Sequence, residues 1–137
     1  YHTVQSTAHD FPDWLMTLTY RVAEFCGVDI PDSVNVNLYE DGSHCVGWHA
    51  DDETLFGSGT EKATIISLSL GATRTFELKK KGHTDCTPML LRAGDVVVMG
   101  GYTQKHYLHR VPPEFCAAPR INLAWRYIRN HCKTCTF

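Results

Sequence analysis

Val34-Asn35-Val36-Asn37-Leu38-Tyr39 alternates with period two, and Asp41-Gly42 follows one residue later. Successive side chains of a strand point to opposite faces, so the hexapeptide reads as a half-buried strand. Asp-Gly is a strong turn signal, and Cys45-Val46-Gly47-Trp48-His49 can return as the second strand of a hairpin. His49 would then stand near the end of a strand.

The downstream chain keeps this character. Ala63 to Leu70 is β-branched and bounded by Gly71, which suits a buried strand, after a loop at 54–62. Thr73 to Leu78 comes next and ends in the turn Lys79-Lys80-Lys81-Gly82. Thr87 to Arg92 and Asp95 to Met99 read as another strand pair around Ala93-Gly94. A strand at about 106–111 stops at Pro112-Pro113, and Arg120 to Ile128 supplies the last. About eight short strands at these spacings suit a sandwich or barrel and do not suit βαβ units. The expected fold is mainly β, an antiparallel double-sheet jelly roll, or double-stranded β-helix, with an N-terminal packing helix.

That helix is read over about 12–26. Asp10 is the N-cap candidate, Pro12 and Asp13 occupy the first turn, and Gly27 is the stop. Phe11, Trp14, Leu15, Leu18, Val22 and Phe25 recur every three or four residues, which predicts one packed face.

The chain has 137 residues, enough for one domain with a sizeable core, and a single domain over 1–137 is expected. A hydrophobic fraction of 43% argues against disorder. With a net charge of −2, any phosphate contact must come from a local patch rather than from the overall field. No apolar run approaches the ~18–20 residues that cross a bilayer, so a soluble intracellular protein is expected. The start at Tyr1 suggests an upstream part beyond this chain. The six cysteines are scattered, and free thiols are expected over a disulfide framework.

Potential chemistry concentrates in Trp48-His49-Ala50-Asp51-Asp52-Glu53. On a strand His49 and Asp51 point to the same face and can share one metal ion, two ligands of the 2-His-1-carboxylate triad of non-haem Fe(II) oxygenases. The second histidine has downstream candidates in His83, His106, His109 and His131, the first in a Lys/Gly turn and the last beyond the final strand. His106 and His109 fall on opposite faces of their segment, and the segment alone does not say which face is inward.

Arg120-Ile121-Asn122-Leu123-Ala124-Trp125-Arg126 is the second unusual stretch. Arg120, Asn122, Ala124 and Arg126 share one face of a strand. Pattern alone favours a solvated polar face opposite a packed Ile121, Leu123 and Trp125. If the polar face is instead inward, two buried arginines need anionic partners, and a dicarboxylic acid would satisfy both.

W-H-A-D-D-E at 48–53, H-R-V-P at 109–112 and R-I-N-L-A-W-R at 120–126, in that order, resemble the AlkB family of Fe(II)/2-oxoglutarate-dependent dioxygenases, which repair alkylated nucleic-acid bases. N-L-Y at 37–39, S-L-S-L-G-A-T-R-T-F-E at 67–77 and G-D-V-V-V-M at 94–99 extend the resemblance over about 34–128. It implies that His49, Asp51 and His109 ligate iron. It also implies that Arg120 and Arg126 hold the carboxylates of 2-oxoglutarate, with Asn37, Tyr39 and Asn122 hydrogen-bonding the cosubstrate. Glu53 matches a position that reads the damaged base, and Trp48 and Arg74 match positions flanking the substrate pocket.

The implied activity uses Fe(II), 2-oxoglutarate and O2 to demethylate alkylated DNA or RNA, releasing formaldehyde and succinate, by a monomer in nucleus or cytoplasm. Arg74 with Lys79, Lys80 and Lys81 is the candidate phosphate patch. Alternatives are a protein hydroxylase or demethylase of the same chemistry, and a metal-bearing nucleic-acid-binding module with little turnover. Relatives usually carry Thr at the position of Ala124 and Phe at that of Trp125. Only about 33 residues precede the matching core, where the family places much of its nucleotide-recognition lid. Cys132 and Cys135, beside His131, form a C-x-x-C that would be half of a zinc site if further ligands follow.

Overall fold

The computed structural model describes residues 9–57, 60 and 63–129. The chain divides into two compact units, Tyr1–Pro31 and Asp32–Phe137. The C-x-x-C of Cys132 and Cys135, with His131, lies outside the described residues.

The first unit is built on α1 (Asp13–Cys26). Its N-cap is Pro12, with no side-chain cap, so Asp10 does not fill that role. The Pro12 carbonyl instead accepts from the amides of Leu15 and Met16. Gly27 ends the helix as expected, at φ 64°. The Val28 amide reaches the Ala23 carbonyl and the Gly27 amide that of Glu24, which satisfies two of the last carbonyls. The buried stripe is Leu15, Thr19, Val22 and Ala23, whereas Trp14 and Phe25 are 63% and 82% exposed. The expected aromatic face is therefore turned outward by about one position. Thr19 tolerates burial because its hydroxyl donates to the Leu15 carbonyl.

The second unit is mainly β, with eight strands among the described residues, as the pattern implies. They are β1 (Ser33–Tyr39), β2 (Val46–His49), β3 (Ile65–Gly71), β4 (Arg74–Lys80), β5 (Thr87–Leu91), β6 (Val96–Met99), β7 (Tyr107–Val111) and β8 (Arg120–Arg126), with a four-residue helix α2 (Thr103–His106) before β7. Two antiparallel four-stranded sheets form, in the orders β1-β8-β3-β6 and β2-β7-β4-β5. Between them lies the core, with Tyr39, Ile65, Met99 and Ala124 from the first sheet and Phe76, Leu91 and Val111 from the second.

This topology overturns the two hairpins expected around Asp41-Gly42 and Ala93-Gly94. β1 pairs with β8 and β2 with β7, so the chain changes sheets between β1 and β2. The segment 40–45 is held from outside: the Glu114 amide donates to the Gly42 carbonyl. A side chain at Gly42 would collide with the Glu114 carbonyl oxygen, 1.5 Å from the ideal Cβ. Around Ala93-Gly94 the turn itself forms, through the Asp95 amide and the Arg92 carbonyl, but β5 and β6 leave it for opposite sheets. The adjacent strands β4 and β5 do pair.

The faces of β1 and β8 decide what enters the interior. The register Asn37↔Asn122 and Tyr39↔Arg120 puts these four side chains on one face. That face looks inward: Tyr39, Arg120, Asn122, Ala124 and Arg126 are buried, whereas Val36, Leu38 and Ile121 on the other face are exposed. The solvated polar face favoured by pattern is thus reversed. Trp125 and Leu123 are buried as well, so most of β8 is covered on both sides.

Candidate metal and anion site

Two strands and the segment that follows one of them bring His49, Asp51 and His109 together. β2 and β7 pair with His49 opposite His109, and one register shift lies between Val46 and His49. Val46 faces Val111 and His49 faces His109, so three residues of β2 span two of β7. This bulge returns His49 to the inner face. The imidazole centroids are 4.2 Å apart. Asp51 Oδ1 lies 3.9 Å from His49 Nε2, and Oδ2 lies 3.7 Å from His109 Nε2. One ligand atom from each residue falls within 4.8 Å of the others. Of the two open histidines, His109 is the buried one in the cluster, and His106 ends α2 with an exposed side chain.

The surroundings prepare these groups as ligands. His49 Nδ1 is 2.7 Å from the Gly47 carbonyl. A carbonyl only accepts, so Nδ1 is the donor there, and Nε2 is the nitrogen turned to the cluster. Burial, with His49 and Arg126 adding and Asp51 opposing, pushes the His109 pKa down to about 4, which keeps its ring neutral near pH 7. The main-chain amide of Asp51 donates to Gln104 Oε1 at 2.9 Å. Gln104 is almost wholly buried and was not among the residues singled out in the sequence. The only signal for it was a polar residue soon after the Gly100-Gly101 break.

Arginines line the opposite wall. Arg126 Nη2 is 2.9 Å from Asp51 Oδ1, and its Nη1 is 4.0 Å from Glu53 Oε1, which draws Glu53 to the mouth of the site. Deeper along β8, Arg120 donates from Nη2 to Ser69 Oγ at 2.8 Å and stands over the Tyr39 ring at 5.2 Å. Its Nε and Nη1 are buried without a hydrogen-bond partner, as is Nε of Arg126. Burial presses the Arg120 pKa below the usual guanidinium value. Buried, unpaired N–H donors on a cation are costly, and a carboxylate would relieve them. Asn122 donates to Ser67 Oγ at 2.7 Å and to the Leu68 carbonyl at 3.1 Å, and receives a long 3.5 Å contact from Asn37.

Two of the expected site residues are placed elsewhere. Trp48 lies on the outer face of the second sheet, with Lys79 Nζ 4.3 Å and Arg110 Cζ 4.5 Å from its ring. Arg110 neighbours His109 on β7 and so points away from it, and Trp48 goes with Arg110 because the bulge separates it from His49. Arg74 shares the inner face but is fully buried, bonding the carbonyls of Asp41, His44 and Pro112 and facing Glu114 at 3.9 Å. It stands at the other end of β4 from Lys79 and Lys80, about 20 Å away at the rise of a strand. It therefore cannot belong to a surface phosphate patch with them.

Two imidazoles and a carboxylate, beside a buried arginine with unfilled hydrogen-bond donors, suit a metal ion and a small anion. The sequence matches the 2OG-Fe(II) oxygenase superfamily over residues 1–126, and the chain belongs to that superfamily. Its relatives are of AlkB type. It is 37% identical over 130 residues to the alpha-ketoglutarate-dependent dioxygenase alkB homolog 3 of Mus musculus and to that of Homo sapiens, matching 85% of this chain and 44% of each relative. To the DNA oxidative demethylase ALKBH2 of Arabidopsis thaliana it is 36% identical over 121 residues, covering 71% of this chain and 38% of that protein. The chain spans less than half the length of these relatives. Its fold is similar to the structure of OsALKBH1, with a TM-score of 0.67 and 20% identity over 88% of this chain and 66% of that one. The fold is also similar to that of AviO1 from Streptomyces viridochromogenes, with a TM-score of 0.53 and 16% identity, covering 87% and 60% of the two chains.

Proposed function

We propose that this chain carries out Fe(II)- and 2-oxoglutarate-dependent oxidative demethylation of alkylated bases in DNA or RNA, with release of formaldehyde and succinate. The observation that carries the reading is the triad of His49, Asp51 and His109 on the same inner surface as the unpaired donors of Arg120. The relatives named as a demethylase and as dioxygenases support the substrate class. The two sheets are read as the walls of a double-stranded β-helix whose core spans about 34–128.

In this reading His49, Asp51 and His109 hold iron, and Arg120 and Arg126 receive the two carboxylate ends of 2-oxoglutarate. Asn37, Tyr39 and Asn122 line the same face and hydrogen-bond the cosubstrate. Iron with 2-oxoglutarate and O2, when bound, supplies oxidation of an N-methyl C–H bond coupled to decarboxylation of the cosubstrate. Burial keeps the His109 imidazole neutral, so that it can serve as a ligand. Glu53, exposed beside Arg126, would accept a hydrogen bond from a base edge. A base must leave its stack to reach so recessed a site. Arg74 serves the pocket indirectly, by tying the 41–44 and 112–114 segments beside Tyr39 and Arg120.

Purified protein with Fe(II), 2-oxoglutarate, ascorbate and a methylated oligonucleotide should yield formaldehyde. No formaldehyde from any methylated base, together with succinate release that ignores oligonucleotide, would overturn the nucleic-acid substrate.

A further inference from the structure

We infer that the open end of the second sheet is a track for a single-stranded polynucleotide, leading across Lys80 and Tyr107 to the metal triad. The inference rests on the nucleic-acid reading above and adds where the strand lies. Leu78 pairs with His109, and the next pair on the same face is Lys80 with Tyr107. Continuing outward along the inner face from His109, the first side chains met are thus an exposed ammonium and a 37% exposed phenol ring. At strand rise they stand about 7 Å from the histidine.

Further cations are brought to this end by tertiary structure. The Lys81 amide donates to the His106 carbonyl at 2.8 Å, and Lys81 Nζ reaches the Gln104 carbonyl at 3.1 Å, which seats α2 against the end of β4. Lys105 on α2 is exposed, with Nζ 5.3 Å from the ring of exposed Tyr102. Within 74–83 and 100–111 the one acid is Glu77, and it is paired with Arg110. Lys80, Lys81 and Lys105 therefore gather at this end of the second sheet, next to the acidic 51–53 segment, and their local field attracts phosphates. Exposed tyrosine rings among those cations fit unstacked bases, the arrangement that binds single strands without reading sequence. The same α2 carries Gln104, whose side chain holds the Asp51 amide, so the track is built onto the metal site.

The test is binding of an unmethylated single-stranded oligonucleotide to the full chain at several salt concentrations. For Lys80→Ala with Lys105→Ala the slope of log affinity against log salt should fall by about 1.4, at ~0.7 per phosphate contact. Lys80→Arg with Lys105→Arg should keep the parent slope. Tyr107→Ala should weaken binding about tenfold at unchanged slope, and Tyr107→Phe should not. Thermal melting checks that each variant is folded. Unchanged slope and affinity in the double alanine variant, while the parent binds the oligonucleotide and demethylates a methylated one, would overturn the track and leave the proposed function standing. Tighter binding of duplex, or equally tight binding of poly-glutamate with the same lysine dependence, would also overturn it. A parent protein that neither binds nor demethylates any oligonucleotide would remove the substrate reading itself, and the track with it.

Discussion

Arg126 Nη2 lies 2.9 Å from Asp51 Oδ1, and both side chains are largely withdrawn from solvent. Arg126 ends β8 of the first sheet, and Asp51 follows β2 of the second, so the pair joins the two sheets at the triad. The contact joins the arginine wall directly to the triad. Breaking a buried pair by removing one partner costs more than the pair is worth, because the other charge is left uncompensated.

Asp51→Ala removes the only carboxylate of the triad and leaves Arg126 without its 2.9 Å partner. Succinate and formaldehyde release should fall to background, and a Fe(II) titration should lose its saturable phase. Substantial residual turnover would exclude Asp51 as a ligand.

Arg120→Ala deletes the two unpaired buried donors, Nε and Nη1. Charged hydrogen bonds contribute about 1.5–3 kcal/mol, so the 2-oxoglutarate concentration at half-maximal turnover should rise about 10- to 100-fold. Lys at this position lacks the planar fork and should not restore it. An unchanged requirement would exclude Arg120 as a carboxylate partner.

Gln104→Ala withdraws the acceptor from the Asp51 amide without touching a metal ligand. Outer partners of this kind typically change metal affinity by about 10- to 100-fold, and a weakening in that range is expected by Fe(II) or Mn(II) titration. Gln104→Glu keeps the acceptor and should lie closer to the parent. Equal affinities for all three proteins would show that the contact positions nothing.

Stability of the metal-free protein should fall with acid through His109. Its pKa is about 4 in the folded chain and near 6.5 when unfolded. Between those values the unfolded state binds a proton that the folded state refuses, so ΔG of unfolding rises with pH there. The contribution is whole above about pH 6.5 and is lost progressively as pH falls toward 4. Urea melts in chelator at pH 7.5, 6 and 5 should show the decline, and His109→Gln should flatten it. Parallel profiles for the two proteins would contradict the assignment.

Gly42→Ala puts a methyl group where the Glu114 carbonyl oxygen lies 1.5 Å from the ideal Cβ. Main chain must move on at least one side, at a cost of about 1–3 kcal/mol for an overpacked site. A lower melting temperature is expected, and an unshifted melt would mean that the 40–45 and 112–117 segments yield freely.

The order of the strands along the chain, the pairing of His49 with Asp51 and the arginine strand were legible from residues, because period-two alternation and motif spacing are local properties; His109 was separated from His106 only by the family resemblance. Helix α1 was legible to within a residue at both ends, through Pro12 and Gly27. Its buried face was legible in part: Leu15 and Val22 lie on it as expected, whereas Thr19 and Ala23 complete it and Trp14 and Phe25 are exposed.

Pairing was beyond local reading. A turn such as Asp41-Gly42 reverses the chain but does not say which strand will accept its hydrogen bonds, and here β1 and β2 go to different sheets. For the same reason the inward direction of Arg120 and Asn122 came only from the register with Tyr39 and Asn37. Sequence by itself determined which chemical groups this protein has to work with, a histidine and carboxylate two residues apart and a row of arginines. Tertiary structure decided which of them meet: it brought in Gln104, turned Trp48 to the outer face and separated Arg74 from the lysines. Hydrogen-bond partners and faces are set by strands distant in sequence, and no local pattern encodes them.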